Sequence, residues 1–192
     1  AMERNLERTK VGHGSQVICS RRGTSSHQYN PLMILADSET CEENGSCYAM
    51  EFVYSGGFKG EIERDQYNQI RMQLGLSDEM FSYPLRPNEE FYAPEVIMSY
   101  SGNGLSKLSQ NLHKCIRNNI CRGQYKKAVR PVLVNSWEGC YFDFSAENIV
   151  ALAKEAAGVG LDLVVMDDGW FSTRNDDNSG LGDWYVNEEK LG

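Results

Sequence analysis

The spacing of apolar positions changes partway along this chain. Between residues 11 and 100, short runs of mixed apolar and polar residues recur at 15–20, 31–36, 47–54, 60–64, 70–75 and 91–100. Turn signals separate them at Asn44-Gly45, Ser55-Gly56-Gly57, Pro84 and Pro87-Asn88. Short strands at this spacing predict an antiparallel sandwich. From residue 105 to 121 the period lengthens: Leu105, Leu108, Leu112 and Ile116 recur at three and four, the stripe of a helix. Residues 123–128 then read as a linker. Beyond it, 130–135 predicts a short buried strand. Ser145 is placed to cap a helix whose apolar stripe is Ile149, Leu152, Ala153 and Ala156, and Gly158 and Gly160 stop that helix. Residues 161–166 predict a second buried strand. Strand, helix and strand in so short a stretch make a βαβ unit with parallel strands. The expected division is a partial β-sandwich domain at 1–104, a helical linker at 105–128 and the start of an α/β domain at 129–192.

Charge and composition narrow the partners. The 192 residues carry 27 acidic and 19 basic side chains, a formal net charge of -8. Nucleic acid is a poor partner for such a chain, since phosphate contacts need clustered Lys and Arg. The densest basic stretch, Lys126-Lys127 with Arg122 and Arg130, is short and reads as a solvated hinge. No apolar run approaches the ~20 residues that span a bilayer, so no membrane partner is expected. Residues 1–10 are charged and polar, unlike a signal-peptide core. The six cysteines fit no zinc spacing and are too sparse for a disulfide scaffold. Cys41 and Cys47 flank a Glu-Glu-Asn-Gly turn and could meet across a hairpin; free thiols in a reducing cytoplasm are the preferred reading, and a cytoplasmic location is expected.

The chemistry concentrates where the two α/β strands end. Ligands of parallel α/β folds bind beyond the carboxyl ends of the strands. Asn135-Ser136-Trp137-Glu138 follows the first strand and Asp167-Asp168-Gly169-Trp170-Phe171 follows the second, so both groups belong on one rim. Carboxylates accept hydrogen bonds from sugar hydroxyls, and an indole face packs on the apolar side of a pyranose. Two Asp with Trp137 and Trp170 make a carbohydrate-site composition. Phosphate is disfavoured, because no Gly-rich loop or Lys accompanies the group. A single rim Asp is more often a helix cap or loop anchor; the adjacent pair followed by Gly-Trp favours a site. Trp137 is balanced between core residue and ligand platform. Glu138 has acid/base chemistry, but one unpaired Glu in a loop is ordinarily solvated. A metal held with Asp176 and Asp177 is disfavoured by ligand type, as no His lies nearby, and no cofactor is expected.

Two other polar clusters read as turns. The stretch 175–184 predicts an Asx-turn loop over the same rim; its likeness to a calcium loop fails on spacing. Arg21-Arg22-Gly23-Thr24-Ser25-Ser26-His27-Gln28 sets His27 beside two serines, but neighbours on a strand point to opposite faces, and an ordered turn is the preferred reading. His13 and His113 have no partners in the sequence.

With these residues in view, the chain resembles the microbial α-galactosidases of glycoside hydrolase family 36 over essentially its whole length. The resemblance is carried by Arg21-Arg22-Gly23-Thr24-Ser25-Ser26-His27-Gln28-Tyr29-Asn30-Pro31, Tyr54-Ser55-Gly56-Gly57-Phe58 and Tyr92-Ala93-Pro94-Glu95. It continues through Arg130-Pro131-Val132-Leu133-Val134-Asn135-Ser136-Trp137-Glu138, the Asp167-Asp168 group and Leu181-Gly182-Asp183-Trp184. It implies a β-supersandwich portion followed by the first βαβ of a (β/α)8 TIM barrel. It also implies retaining hydrolysis of terminal α-galactosides such as melibiose and raffinose, in a protein whose relatives include homo-oligomers. Asp167, Asp168 and Trp137 match the family's galactose-binding residues, and Trp170 and Asp183 are carried over with them. The family's nucleophile Asp follows a Lys-Trp pair at the fourth barrel strand, and its acid/base Asp comes two strands later. Neither region occurs here, so no catalytic residue is assigned. The expectation is an internal piece of a longer enzyme, truncated at both ends, inactive and poorly soluble alone because barrel strands lie open. The alternatives are a related α-N-acetylgalactosaminidase or galactosyltransferase, or a galactoside-binding or structural module.

Overall fold

The computed structural model describes residues 8–25, 29–79 and 81–192. They fall into two compact units, Ala1–Cys121 and Arg122–Gly192.

The first unit is built on two antiparallel three-stranded sheets, in agreement with the sandwich predicted from short runs separated by turn signals. Strands β1 (Gly14–Ser20), β4 (Phe58–Arg64) and β5 (Ile70–Leu76) form one, in the order β1-β4-β5. Strands β2 (Leu32–Ala36), β3 (Cys47–Phe52) and β6 (Val96–Ser101) form the other, in the order β2-β3-β6. In the first sheet Ile18, Gly60 and Leu74 stand in register across three strands. A Cβ on Gly60 would lie 2.3 Å from Met33 Sδ of β2, which shows how closely the two sheets face each other. β6 begins at Val96 rather than at residue 91, because Pro94 has no N–H to give a ladder.

Helix α1 (Gly104–Cys115) lies on the other face of β2-β3-β6. Cys47 and Ala49 of β3 pack with Leu108 and Leu112, and Leu32, Leu105 and Ile97 close the edges. This is the helical stripe read from the sequence, and it belongs to the core of the first unit. The loop before β3 caps the helix: Gly104, Leu105 and Ser106 N–H donate to the carbonyls of Gly45, Cys41 and Glu42. That docking needs a residue without Cβ. Gly104 has φ +78°, and a Cβ there would stand 2.5 Å from Asn44 N and Glu42 O. After α1 the chain widens into a π-helical turn, Ile116–Ile120, where regular α-helix was expected. Asn119 Nδ2 donates to Cys115 O at 3.0 Å, occupying the carbonyl an α-helical bond would use. All six cysteines are free, and Cys47 Sγ is turned to Gly104 O at 3.5 Å rather than toward Cys41. Ser26, His27 and Gln28, part of the polar cluster noted above, lie outside the described residues.

The second unit opens with a 3-10 turn, Gln124–Lys126, and contains the βαβ unit. β7 (Leu133–Asn135) pairs in parallel with β8 (Leu163–Val165), and the helix between them is α3 (Ala146–Gly158). Ser145 caps α3 in a reciprocal box: Asn148 N–H donates to Ser145 Oγ, and Ser145 N–H donates to Asn148 Oδ1. Ala156 is the buried residue of its stripe. A short helix α2 (Trp137–Cys140) follows β7, and α4 (Glu188–Leu191) ends the chain. β7 and β8 were expected to be buried, but Leu133 is 49% and Leu163 42% exposed. The reason is that the sheet has two strands, so neither has a neighbour on its outer side.

Replacing Gly104 by Ala should lower stability by about 2 kcal/mol or more, combining an unfavourable φ with a clash against backbone atoms. A thermal melt that matched the parent chain would refute the capping role.

Candidate functional site

The rim at the carboxyl ends of β7 and β8 holds the polar residues singled out from the sequence. The strands end side by side, with Asn135 opposite Val165. Ser136 ties them together: its N–H donates to Val165 O at 3.0 Å, and its buried Oγ accepts from Asp167 N–H at 3.2 Å. Asn135 works in both directions. Its Nδ2 donates to Asp167 Oδ2 at 2.6 Å, and its Oδ1 accepts from Trp137 N–H at 2.8 Å. One amide therefore sets both the first carboxylate of the pair and the start of α2. Asp167, Asp168 and Trp137, which the sequence placed on one rim, do meet in one connected network.

The two carboxylates are held differently. Asp167 Oδ1 accepts from Asp168 N–H at 2.8 Å, and Asp168 Oδ1 accepts from Gly169 N–H at 2.7 Å. Asp168 is also gripped by Arg174, with Nε on Oδ1 at 2.7 Å and Nη2 on Oδ2 at 2.9 Å. The Arg174 guanidinium beside Asp168 holds its carboxyl below the usual carboxylate range, helped by Gly169 N–H and by the charge of Lys190, against a smaller opposing effect of burial. Gly169 has φ +88°, and a Cβ there would stand 3.0 Å from Phe142 Cδ1 and 3.3 Å from Phe144 Cε1. The Gly of Asp-Asp-Gly-Trp is thus fixed by both conformation and space.

Aromatic rings surround this network. Trp137 is half-buried, edge-on to Tyr141 and Phe142 with centroids at 5.2 and 5.0 Å. Trp170, also half-buried, meets Phe171 edge-on at 5.2 Å, and the ring of Trp184 meets Phe171 at a tilt, 4.6 Å between centroids. The chain after Trp170 makes a closed loop: Ser172 N–H donates to Tyr185 O, and Asn187 N–H donates to Trp170 O. Within it, Asn178 N–H donates to Asp176 Oδ1 at 2.8 Å, the Asx turn expected there. Asp183 lies exposed in that loop, and among the described residues no side-chain hydrogen bond joins it to the carboxylate pair. Glu138 accepts from Tyr141 OH at 3.1 Å, which pushes the Tyr141 phenol up.

Sequence reasoning missed Arg174, Lys190 and Phe142. Arg174 was visible as a lone cation in an acidic loop, six residues past Asp168. Lys190 Nζ donates to Phe142 O at 2.7 Å and lies over the Phe144 ring at 4.8 Å, contacts between segments about fifty residues apart that no local pattern announces.

Two family models match this chain: Melibiase over residues 90–192, and the glycosyl hydrolase family 36 N-terminal domain over residues 1–86. The bifunctional alpha-galactosidase/sucrose kinase AgaSK of Mediterraneibacter gnavus is 65% identical over 192 residues. Alpha-galactosidase Mel36A of Lactobacillus acidophilus is 48% identical over 191 residues. The chain spans 20% of the length of the first relative and 26% of the second. The structure of the galactosidase domain of AgaSK superposes with a TM-score of 0.90, covering 99% of this chain and 26% of that one. A variant of AgaA from Geobacillus stearothermophilus in complex with raffinose gives 0.89 at 45% identity, covering 96% of this chain and 26% of that one.

The Asp168 carboxyl sits below its unfolded value, near 3.9, so its pairing adds stability in full above about pH 4 and loses it as pH falls through the folded value. Asp168→Asn should cost about 1–3 kcal/mol at neutral pH. Melting curves of parent and variant should converge in strong acid; a gap that stayed constant with pH would remove the ion pair as the cause.

Proposed function

The chain belongs to glycoside hydrolase family 36, and from that premise we propose that it serves an α-galactosidase. The reaction is hydrolysis of terminal non-reducing α-D-galactosyl residues, in galactosides such as melibiose and raffinose, with retention at the anomeric carbon. The chain's share of the work is to grip the galactose ring. The observation that carries this reading is the joined rim: Asp167 and Asp168 at the end of β8, tied through Asn135 to Trp137 at the end of β7.

Hydrogen-bond capacity supports it. A carboxylate oxygen accepts about two hydrogen bonds. Among the described residues Asp167 Oδ1 and Oδ2 each have one partner, Asp168 N–H and Asn135 Nδ2. Each therefore has room for one hydroxyl donor. Asp168 Oδ1 is filled by Arg174 Nε and Gly169 N–H, and its Oδ2 has one position open. The pair thus offers three acceptor positions to adjacent hydroxyls of one ring, with Trp137 and Trp170 supplying apolar faces. Asp183 is assigned to the same subsite, on the loop that closes after Trp170.

These carboxylates are not the catalytic pair. A retaining glycosidase needs one carboxylate to attack the anomeric carbon and one carboxylic acid, ~5–5.5 Å away, to protonate the leaving oxygen. Asp168 is held ionised by Arg174 and is unsuited to donate a proton. The attacking and protonating groups are assigned to parts of the enzyme other than these 192 residues. That assignment agrees with a match to roughly a quarter of each relative.

The native polypeptide that carries this chain should release galactose from melibiose, and the first-formed anomer, read by proton NMR, should be α. Asp167→Ala should raise KM by about 10–100-fold, the cost of losing hydrogen bonds to a charged acceptor. The 192-residue chain alone should show no turnover. Tight galactose binding by that chain in a calorimetric titration, with no hydrolysis by the native polypeptide, would favour a binding module instead.

A further inference from the structure

Arg174 is the most heavily committed cation of the second unit, and the galactose reading gives it no contact with the sugar. Its side chain is 4% exposed. Burying a guanidinium costs several kcal/mol unless its donors are met. Here they are met by Asp168 on Nε and Nη2, and by Ser179 O on Nη1. Asp177 approaches Nη2 at 3.5 Å, and the guanidinium lies 5.7 Å from the Phe142 centroid and 5.8 Å from that of Phe171. One side chain thus joins the carboxylate at the end of β8 to the far side of the 173–184 loop.

On the proposed galactose site, we infer that Arg174 is a positioning residue: it fixes Asp168 by both oxygens and draws in the loop at Ser179, so that Asp168 presents a single acceptor, Oδ2, to a sugar hydroxyl. Three observations separate this from a plain loop staple. First, the grip is bidentate, Nε on one oxygen and Nη2 on the other, so it restrains the rotation of the carboxylate as well as its place. Second, Asp168 stays 22% exposed, with the open lone pair on Oδ2, where a staple would gain by full enclosure. Third, Gly169 N–H shares Oδ1 with Arg174 Nε, which leaves Oδ2 as the oxygen able to take a ligand. Lys cannot reproduce the planar fork, so an Arg to Lys change is not conservative at this position.

The charged groups around Asp168 are few. Arg174 pairs with it, Lys190 of α4 adds positive charge, Asp167 is its neighbour in the chain, and Asp176 and Asp177 also act on Arg174, Asp177 at the Nη2 that donates to Asp168. Removing the guanidinium takes away the main group that keeps Asp168 ionised as pH falls.

The experiment compares Arg174→Lys, Arg174→Gln, Asp168→Asn and the Arg174→Gln/Asp168→Asn double variant in the native polypeptide, with melibiose as substrate and galactose as titrant. Arg174→Gln should raise KM by about 10–100-fold with a smaller change in kcat, and should move the acid limb of 1/KM to higher pH. Arg174→Lys, the variant with the better prospect of folding, should restore the acid limb toward the parent but not the full affinity. The double variant should bind no worse than Asp168→Asn alone, because both changes remove the same oriented carboxylate. Parent-like KM and acid limb in Arg174→Gln and Arg174→Lys, with only a lowered melting temperature, would reduce Arg174 to a staple, and additive losses in the double variant would do the same. A parent polypeptide that neither hydrolyses melibiose nor binds galactose would sink the galactose reading and this one with it; failure confined to the Arg174 variants bears on Arg174 alone.

Discussion

The parallel pairing of β7 with β8 is the constraint on which the site depends. Each strand contributes three residues, and their register sets Asn135 beside Val165. The residues that follow therefore leave the sheet at the same height, and Ser136 fastens them with one bond to Val165 O and one from Asp167 N–H. A slip of one residue would turn every side chain of one strand to the opposite face and separate Asn135 from Asp167. A parallel pair cannot be made by a tight hairpin, so α3 and its cap are needed to bring the chain back. The capping box at Ser145 and the stop at Gly160 are, in this sense, parts of the ligand rim.

From that rim, order spreads through charge and aromatic packing. Asp167 is turned by a neutral amide and Asp168 by a cation, so adjacent carboxylates of one sequence motif end with different electrostatic surroundings. This difference gives the pair its chemistry. Two adjacent, unpaired carboxylates would repel, and one would tend to take up a proton. Arg174 holds Asp168 as an acceptor, which suits the proposed hydroxyl recognition and not proton transfer.

Much of this was legible in the sequence, and the parts that were not share a cause. Short runs between turn signals located six strands of the first unit, and the Leu105, Leu108, Leu112 stripe located the helix that covers β3 and β6. Ser145 was readable as a cap because capping is a local rule, and the shared rim of Trp137 and Asp167 followed from the βαβ topology. What could not be read was which far residue completes a group. Lys190 meets Phe142 across forty-eight positions, and Arg174 closes a loop whose return path depends on Asn187 and Tyr185. The depth of burial of β7 and β8 was also misjudged, because apolar runs indicate what a strand can cover and not whether neighbours are present.

The two units meet the same problem of covering a sheet in opposite ways. In the first, one sheet faces another and α1 closes the remaining face of β2-β3-β6, so its core lies within the strands and helix themselves: Cys47, Ala49, Phe52, Phe58, Leu108 and Leu112. In the second, the strands remain half open, and apart from Ala156 of α3 the buried side chains gather beyond the strand ends: Ser136, Phe144, Phe171, Ser172, Arg174 and Asn187. The second unit is therefore held most firmly at the rim that is proposed to meet the sugar. A well-packed rim has few alternative arrangements, and a site that must align several hydroxyls at once gains from that rigidity. The same contacts carry both properties, so a change that loosens the Arg174 network alters the stability of the unit and the aim of its carboxylates together. Only measurements sensitive to carboxylate ionisation, and not stability alone, can tell the two apart.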